Sequence, residues 1–451
     1  MSEREQELLA DRMYRRVAWR LIPLLILCYL SAFIDRSNIG IAKLAFMPDL
    51  GITETMFGLA GGLFYLGYSL FEIPGNLLLD RFGARRTFCR ILLLWSGFTL
   101  LAAGMTGAWQ LYTLRFLIGA AEAGFFPGVL LYLSRWAPAA RRARFTAWFM
   151  SAMAIAGLIS GPVSGLILAH MEGIGGLAGW RWLFILEGAP GIVLGLLVLR
   201  WLPDGPADAR WLNAGQRALI ERDLCSEAPR LHPGRPGSLI SALHDPVFYA
   251  LSAMSAALIA GIGGIALWMP TLLKASGIGG NALSATLTAI PYACALVSQQ
   301  WLARRSDRLQ ERRLHSALPV LIAALAWLCM ALVPGLPWAM LLLLTIATAA
   351  TFGATGPFWS LPPTYLAGPA APAGIAAVTT LGSVAAFVSP IVVGWAADRW
   401  PAAQAGAVYY GLLLLAGSGS LLIGTSAIMQ RTLPPPTRSM VGTGTTTSSS
   451  T

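Results

Sequence analysis

The sequence predicts an all-α membrane protein in which twelve transmembrane helices form two pseudo-symmetric six-helix bundles. Three observations carry this. The chain of 451 residues is 56% hydrophobic and 12% charged, unlike a soluble globular domain. Its apolar runs recur at the roughly 20-residue length that crosses about 30 Å of hydrocarbon. One charged signature occurs twice, after the second and the eighth runs, 227 residues apart.

The spans are read at 17–42, 54–78, 87–106, 109–134, 145–170, 181–202, 246–273, 282–303, 315–334, 337–366, 373–397 and 405–429. They divide the chain into an N-terminal cytoplasmic segment (1–16), a first bundle (17–202), a polar linker (203–244), a second bundle (245–430) and a disordered tail (431–451). The linker, with its Pro/Gly-rich stretch, allows a short amphipathic helix around Asn213 to Leu224. The tail has nothing to bury. The first run is followed by others and lacks a small-residue cleavage site, so it reads as a retained span.

Arginines crowd alternate connections: Arg81, Arg85, Arg86 and Arg90; Arg135, Arg141, Arg142 and Arg144; Arg304, Arg305, Arg308, Arg312 and Arg313. The opposite connections hold only Lys43, Arg181, Lys274 and Arg399. Positive charge stays inside, so a multi-pass protein of the cytoplasmic membrane with both termini in the cytoplasm is expected. The same placement explains the formal charge of +11 without a nucleic acid partner. The five cysteines and four histidines are scattered, with no metal spacing. No nucleophile elbow, HExxH or phosphate-cradling loop marks an enzyme or an ATP-driven pump. No cofactor is expected beyond protons as the coupling ion.

The repeated signature reads DRFGARR, with Asp80, Arg85 and Arg86, and DRLQERR, with Asp307, Arg312 and Arg313. Pro162 in GPVSG and Pro390 in SPIVVG recur at nearly the same displacement, which argues for a duplicated six-helix unit. GNLLLDRFGARR (Gly75 to Arg86) resembles the loop signature of the major facilitator superfamily, and RFLIG its Arg-containing motif. IDRSNIGIA, FEIPGNLLLDRFGARR, RFLIGAAEAGFFPG, WRWLFILEG and GPFWSLP together resemble its anion:cation symporter branch, whose members include permeases for tartrate, sugar acids, phthalate and hydroxyphenylacetate. The resemblance runs from Arg15 to Ala397. It implies a protein with the superfamily's fold that takes up a small organic carboxylate with protons, by alternating access in the lipid bilayer; a monomer is expected.

Charges inside hydrocarbon are costly and usually line a cavity. They are lopsided here: the first half's spans hold Asp35, Arg36, Glu72, Arg115, Glu122 and Glu187, whereas the cores of the second half's spans hold none. At 1.5 Å per residue, Asp35 and Arg36 lie roughly 10 Å short of the outer end of the first span, and Glu122 about 10 Å beyond Arg115 in the fourth. Seven residues apart, Arg115 and Glu122 share a helix face. Arg36 is expected to bind the substrate carboxylate, Asp35 and Glu122 to exchange protons, and Arg115 to tune their proton affinity. The rival for Asp35 and Arg36 is a structural ion pair, and for Arg115 a structural role. Glu72 is read as an inner-gate or helix contact, and Glu187, after Arg181, as structural.

Asp80, Arg85, Arg86, Asp307, Arg312 and Arg313 are expected to gate, through ion pairs and helix-end contacts that break on opening. Gly157, Gly161 and Gly165 form a small-residue stripe for a moving helix interface. The rest of the cavity is assigned to Tyr65, Tyr68, Trp268, Tyr292, Phe358, Trp359, Thr379 and Ser383. For each aromatic the competing reading is membrane core or interface belt. Where the branch commonly reads like NSIGNLGGF, this chain has TTLGSVAAF, with Thr379 and Ser383 in place of two amides. That departure points to a less hydroxylated or aromatic carboxylate. A drug/proton antiporter on the same fold is the first rival. A membrane sensor would need a signalling domain, and the polar segments are too short for one.

Overall fold

The computed structural model describes residues 3–227, 246–362, 371–400 and 402–432. Fifteen α-helices and no strand occur among them. In order they are α1 (Glu3–Leu50), α2 (Glu54–Phe82), α3 (Ala84–Ala102), α4 (Ala108–Glu122), α5 (Phe125–Ser134), α6 (Ala139–His170), α7 (Gly179–Trp201) and α8 (Ala214–Glu227). After the linker come α9 (Pro246–Ala275), α10 (Asn281–Leu287), α11 (Ala289–Leu309), α12 (Arg313–Met330), α13 (Pro337–Trp359), α14 (Ala371–Ala397) and α15 (Ala402–Thr432). α4 with α5, and α10 with α11, each make one broken crossing, so the chain crosses twelve times. Eleven crossings are long and apolar enough by length and composition. α3 falls short because Arg85, Arg86 and Arg90 crowd one end of its 19 residues.

Three crossings depart clearly from the expected bounds, α13 among them, whose helix ends at Trp359 where the span was read to 366. α1 continues through the polar N-terminal residues, where Arg141 binds Asp11 and the Tyr14 hydroxyl donates to Asp223 at 3.0 Å. Lys43, read as a connection residue, is still helical and only 2% exposed. The α4–α5 crossing breaks just after Glu122, where Gly124 takes φ 84°, a left-handed conformation that glycine adopts without a side-chain clash. Residues 228–245 of the linker and 433–451 of the tail lie outside the described residues.

Within the first half α1 packs on α6 and α7, α2 on α4, and α3 on α4 and α7; in the second, α9 packs on α14 and α15, and α13 on α11 and α12. Between the halves α2 meets α14 while α6 meets α10 and α11. The second crossing of one half thus faces the fifth of the other, both ways round, as a two-fold pseudo-symmetry requires.

The face bearing the N terminus and the linker is called the terminal face, and the opposite one the far face. Close backbone approaches between the halves fall on the far-face portions of these helices. A Cβ at Gly58 would lie 2.2 Å from the Pro390 carbonyl oxygen, and one at Gly161 2.4 Å from that of Ala285. Nearer the terminal face, Gly67 and Gly75 of α2 approach only α4 and Ala123 of their own half. The halves are therefore joined at the far face.

Asp398, beyond the end of α14, completes that closure by capping α2 across the interface. Its two oxygens accept from the Glu54 and Thr55 N–H groups, each at 3.0 Å. These N–H groups at a helix start have no intrahelical acceptor, and the helix dipole favours a carboxylate there. Partial burial opposes ionisation, yet the hydrogen bonds from Thr55 and Glu54 hold the Asp398 carboxyl below the usual range.

Candidate functional site

Mid-way along α1, adjacent Asp35 and Arg36 diverge by about 100° and serve different neighbours. Arg36 Nε donates to Glu122 Oε1 at 2.8 Å, with Glu122 1% and Arg36 23% exposed. Glu122 is the last residue of α4, where the helix dipole disfavours a carboxylate, so the guanidinium answers both. Its Oε2 has no hydrogen-bond partner.

Arg36 also lies over the Tyr68 ring at 5.1 Å and the Phe64 ring at 5.4 Å, and Arg115 stands over Phe64 at 4.6 Å. One phenyl ring thus holds two guanidiniums by cation–π attraction. Arg115 is 5% exposed, forms no ion pair among the described residues, and leaves its Nε unpartnered. Asp35, 1% exposed, accepts from the Thr99 hydroxyl of α3 at 2.8 Å, and its second oxygen is unpartnered. The structure brings Asp35, Arg36, Arg115 and Glu122 into one buried cluster in which Arg36, not Arg115, is the direct partner of Glu122.

Other expected residues scatter. Tyr65 reaches the second half, with its hydroxyl against Gly263, and Tyr68 lies under Arg36. Trp268 belongs to the far-face closure: it packs on Phe57 at 5.8 Å and under the Lys43 ammonium at 3.9 Å, while Lys43 pairs with Glu54 at 2.6 Å. The Tyr292 ring fills the space beside Gly157 and meets Phe352 at 5.7 Å. Phe358 and Trp359 meet edge-on at 5.1 Å at the terminal-face end of α13, distant in depth from Arg36. Ser383, mid-way along α14, donates to the Thr379 carbonyl at 3.2 Å. Glu72 follows Tyr68 by one turn, within reach of the Arg36 charge.

At the terminal face, Asp307 pairs with Arg312 at 2.9 Å, and Arg312 also donates to the Ser360 hydroxyl at 3.0 Å. Arg313 donates to the Leu422 carbonyl. Arg85 binds the Leu199 carbonyl, its N–H meets Asp204 at 2.8 Å, and Arg86 is exposed. None of these contacts joins one half to the other. The Asp80 side chain lies outside the described residues. In the same connection Glu311 accepts from the Leu314 and His315 N–H groups and from the His315 ring. Although burial opposes it, these bonds hold the Glu311 carboxyl below its usual range.

Phe64, Thr99 and Asp398 carry no charge pattern or motif that would have singled them out. Glu187, read as structural, accepts from the Ser164 hydroxyl at 2.6 Å, while Arg181 donates to the Ala103 carbonyl at 2.5 Å.

Residues 25–390 match the model of the Major Facilitator Superfamily. The chain belongs to that superfamily. It is 38% identical to a putative tartrate transporter from Agrobacterium vitis, over 93% of either chain. It is 36% identical to a quinolone resistance transporter from Acinetobacter baumannii, over 89% of this chain and 92% of that one. A bacterial homolog of the human lysosomal transporter Spinster, crystallised in an inward-facing, occupied conformation, has the same fold: TM-score 0.71 and 18% identity, over 92% of this chain and 98% of that one. The protein is thus a multi-pass inner-membrane transporter, not an enzyme, and its substrate is a small molecule.

Proposed function

We propose that this superfamily member is a proton-coupled symporter that takes up an organic carboxylate by alternating access, with protons as its coupling ion and no other cofactor. The observation that carries the reading is the buried cluster itself. Among the described residues Arg115 has no ion pair, Arg36 is the most open of the four charged groups, and Glu122 and Asp35 each keep an unpartnered oxygen. A substrate carboxylate docks on Arg36 in competition with Glu122. The displaced Glu122 then takes a proton, since two carboxylates on one guanidinium repel. Anion and proton bind cooperatively, and by linkage each strengthens the other equally. The relative named for tartrate supports a carboxylate substrate. Thr379 and Ser383 in place of amides favour one with few hydroxyls.

The arginine-rich connections put the terminal face, with both chain ends, in the cytoplasm. The far-face closure then seals the cluster from outside, and the site opens inward. Asp80, Arg85, Arg86, Asp307, Arg312 and Arg313 form the cytoplasmic gate that engages across the halves only in the opposite conformation. Residues 17–202 and 245–430 are the two moving bundles of a monomer.

Glu122→Gln tests the coupling. A thermal-shift panel of carboxylates, tartrate among them, selects the probe, because a ligand bound only by the folded state raises apparent stability. In proteoliposomes the mutant is expected to exchange that probe in counterflow but not to concentrate it under an imposed pH gradient. A mutant that still concentrates it removes Glu122 from the coupling step. The quinolone resistance relative favours a second reading, drug/proton antiport. That reading requires a quinolone, and none of the simple carboxylates of the panel such as tartrate, to discharge the pH gradient.

A further inference from the structure

Glu187 sits on α7 eight residues, about 12 Å, from the far-face end of the helix. It is 6% exposed, one oxygen accepts from Ser164, and Oε2 has no partner. The helices packed on α7 are α1, α3 and α6. α1 presents Asn38, one turn beyond Asp35 toward the far face, and the Asp35 carboxyl itself. Both polar atoms of the Asn38 amide are unpartnered. α3 contributes Thr99, which is engaged with Asp35, and its arginines stand at the terminal-face end. α6 contributes Ser164, and its arginines too stand at the terminal-face end.

Among the described residues no cation pairs with this carboxyl. Arg36 is held by Glu122, Lys43 by Glu54 and Arg181 by the Ala103 carbonyl, while Arg115 stands over the Phe64 ring. An ionised carboxylate sealed from water without a cation is among the costliest groups in a membrane interior. The neutral acid avoids that cost.

We propose that Glu187 is a second proton-holding site, set on the far-face side of Asp35 and exchanging its proton with it past Asn38. The proton leaves Glu187 Oε2 for the unpartnered Asp35 Oδ2, and the resulting carboxylate stays held by Ser164 and the Asn38 amide. Negative charge on Asp35 keeps the proton on Glu187, and protonation of Asp35 loosens it. A proton arriving from the far face thus reaches Glu187 before the central cluster. Its use in transport rests on the proton-coupled reading; its protonation needs no substrate.

Infrared spectroscopy of the full-length protein in liposomes, titrated with pH and without substrate, tests this. Wild type is expected to show a protonated-carboxyl C=O band at neutral pH that disappears in Glu187→Gln and persists in Glu187→Asp, which keeps the acid if the amide variant folds poorly. In Asp35→Asn the band should persist but titrate at lower pH, because a negative neighbour is gone. A band unchanged in Glu187→Gln, or a titration unmoved by Asp35→Asn, overturns the proposal. Wild-type liposomes that concentrate no carboxylate under a pH gradient would count against the symport reading alone, and the infrared result would still decide this one.

Discussion

Replacing Asp398 with alanine removes a carboxylate of the second half that caps a helix of the first. The two bonds, to Glu54 N and Thr55 N at 3.0 Å each, exist only while the far face is closed, so their loss falls on that conformation alone. Truncating an N-cap carboxylate costs about 0.5–2 kcal/mol. Asp398 is exposed, and water and salt place the loss toward the lower end, at about 1 kcal/mol. At 1.4 kcal/mol per tenfold, the ratio of far-face-open to far-face-closed molecules should rise about fivefold.

The assay is a spin-label distance across the far face. Gly107 lies in the α3–α4 connection and Gly279 in the α9–α10 connection, and a Cβ at either meets nothing within 4 Å. Cysteines there, in a background lacking the exposed Cys225, Cys294 and Cys329, report opening as a longer distance. Because the folded carboxyl is held below its ordinary value, the cap is fully present above that value and is lost as pH falls through the lowered one. The difference between variant and wild type should therefore be constant from about pH 5 to 8. An unchanged distance distribution in Asp398→Ala, or a difference that vanishes within that range, would refute the reasoning.

Arg36→Lys keeps the charge, but an ammonium does not reproduce the guanidinium's planar contact with Glu122 and the Phe64 and Tyr68 rings; carboxylate affinity should fall about tenfold or more, read by titration of the thermal shift. Gly58→Ala places a methyl group 2.2 Å from the Pro390 carbonyl oxygen, so α2 and α14 must separate. At about 1–3 kcal/mol for such overpacking, the same spin-label pair should show at least the opening seen with Asp398→Ala.

Much of the fold was legible in the chain. Span length and arginine placement are local properties set by bilayer thickness and by the cost of moving charge across it, so crossings could be counted residue by residue. The duplicated DRFGARR and DRLQERR signatures announced the two halves for the same reason. Lone charges in apolar runs likewise marked Asp35, Arg36, Arg115 and Glu122, since hydrocarbon tolerates such groups only where they find partners. Partner choice was another matter. Seven-residue spacing put Arg115 on the face of Glu122, yet Arg36, 86 residues away in sequence, makes the bond, because the α1–α4 approach depends on packing among several helices. Trp268 and Lys43 looked like cavity and connection, and they became one stacked pair sealing the far face. Asp398 reads as an ordinary loop carboxylate until α2 is brought end-on to it, and nothing in the stretch around Glu187 says that Ser164 of another helix is its partner. Composition and period determine which residues must leave water. Which polar groups then meet, and which are left without a partner, is set by helix rotations and depths that no local stretch encodes.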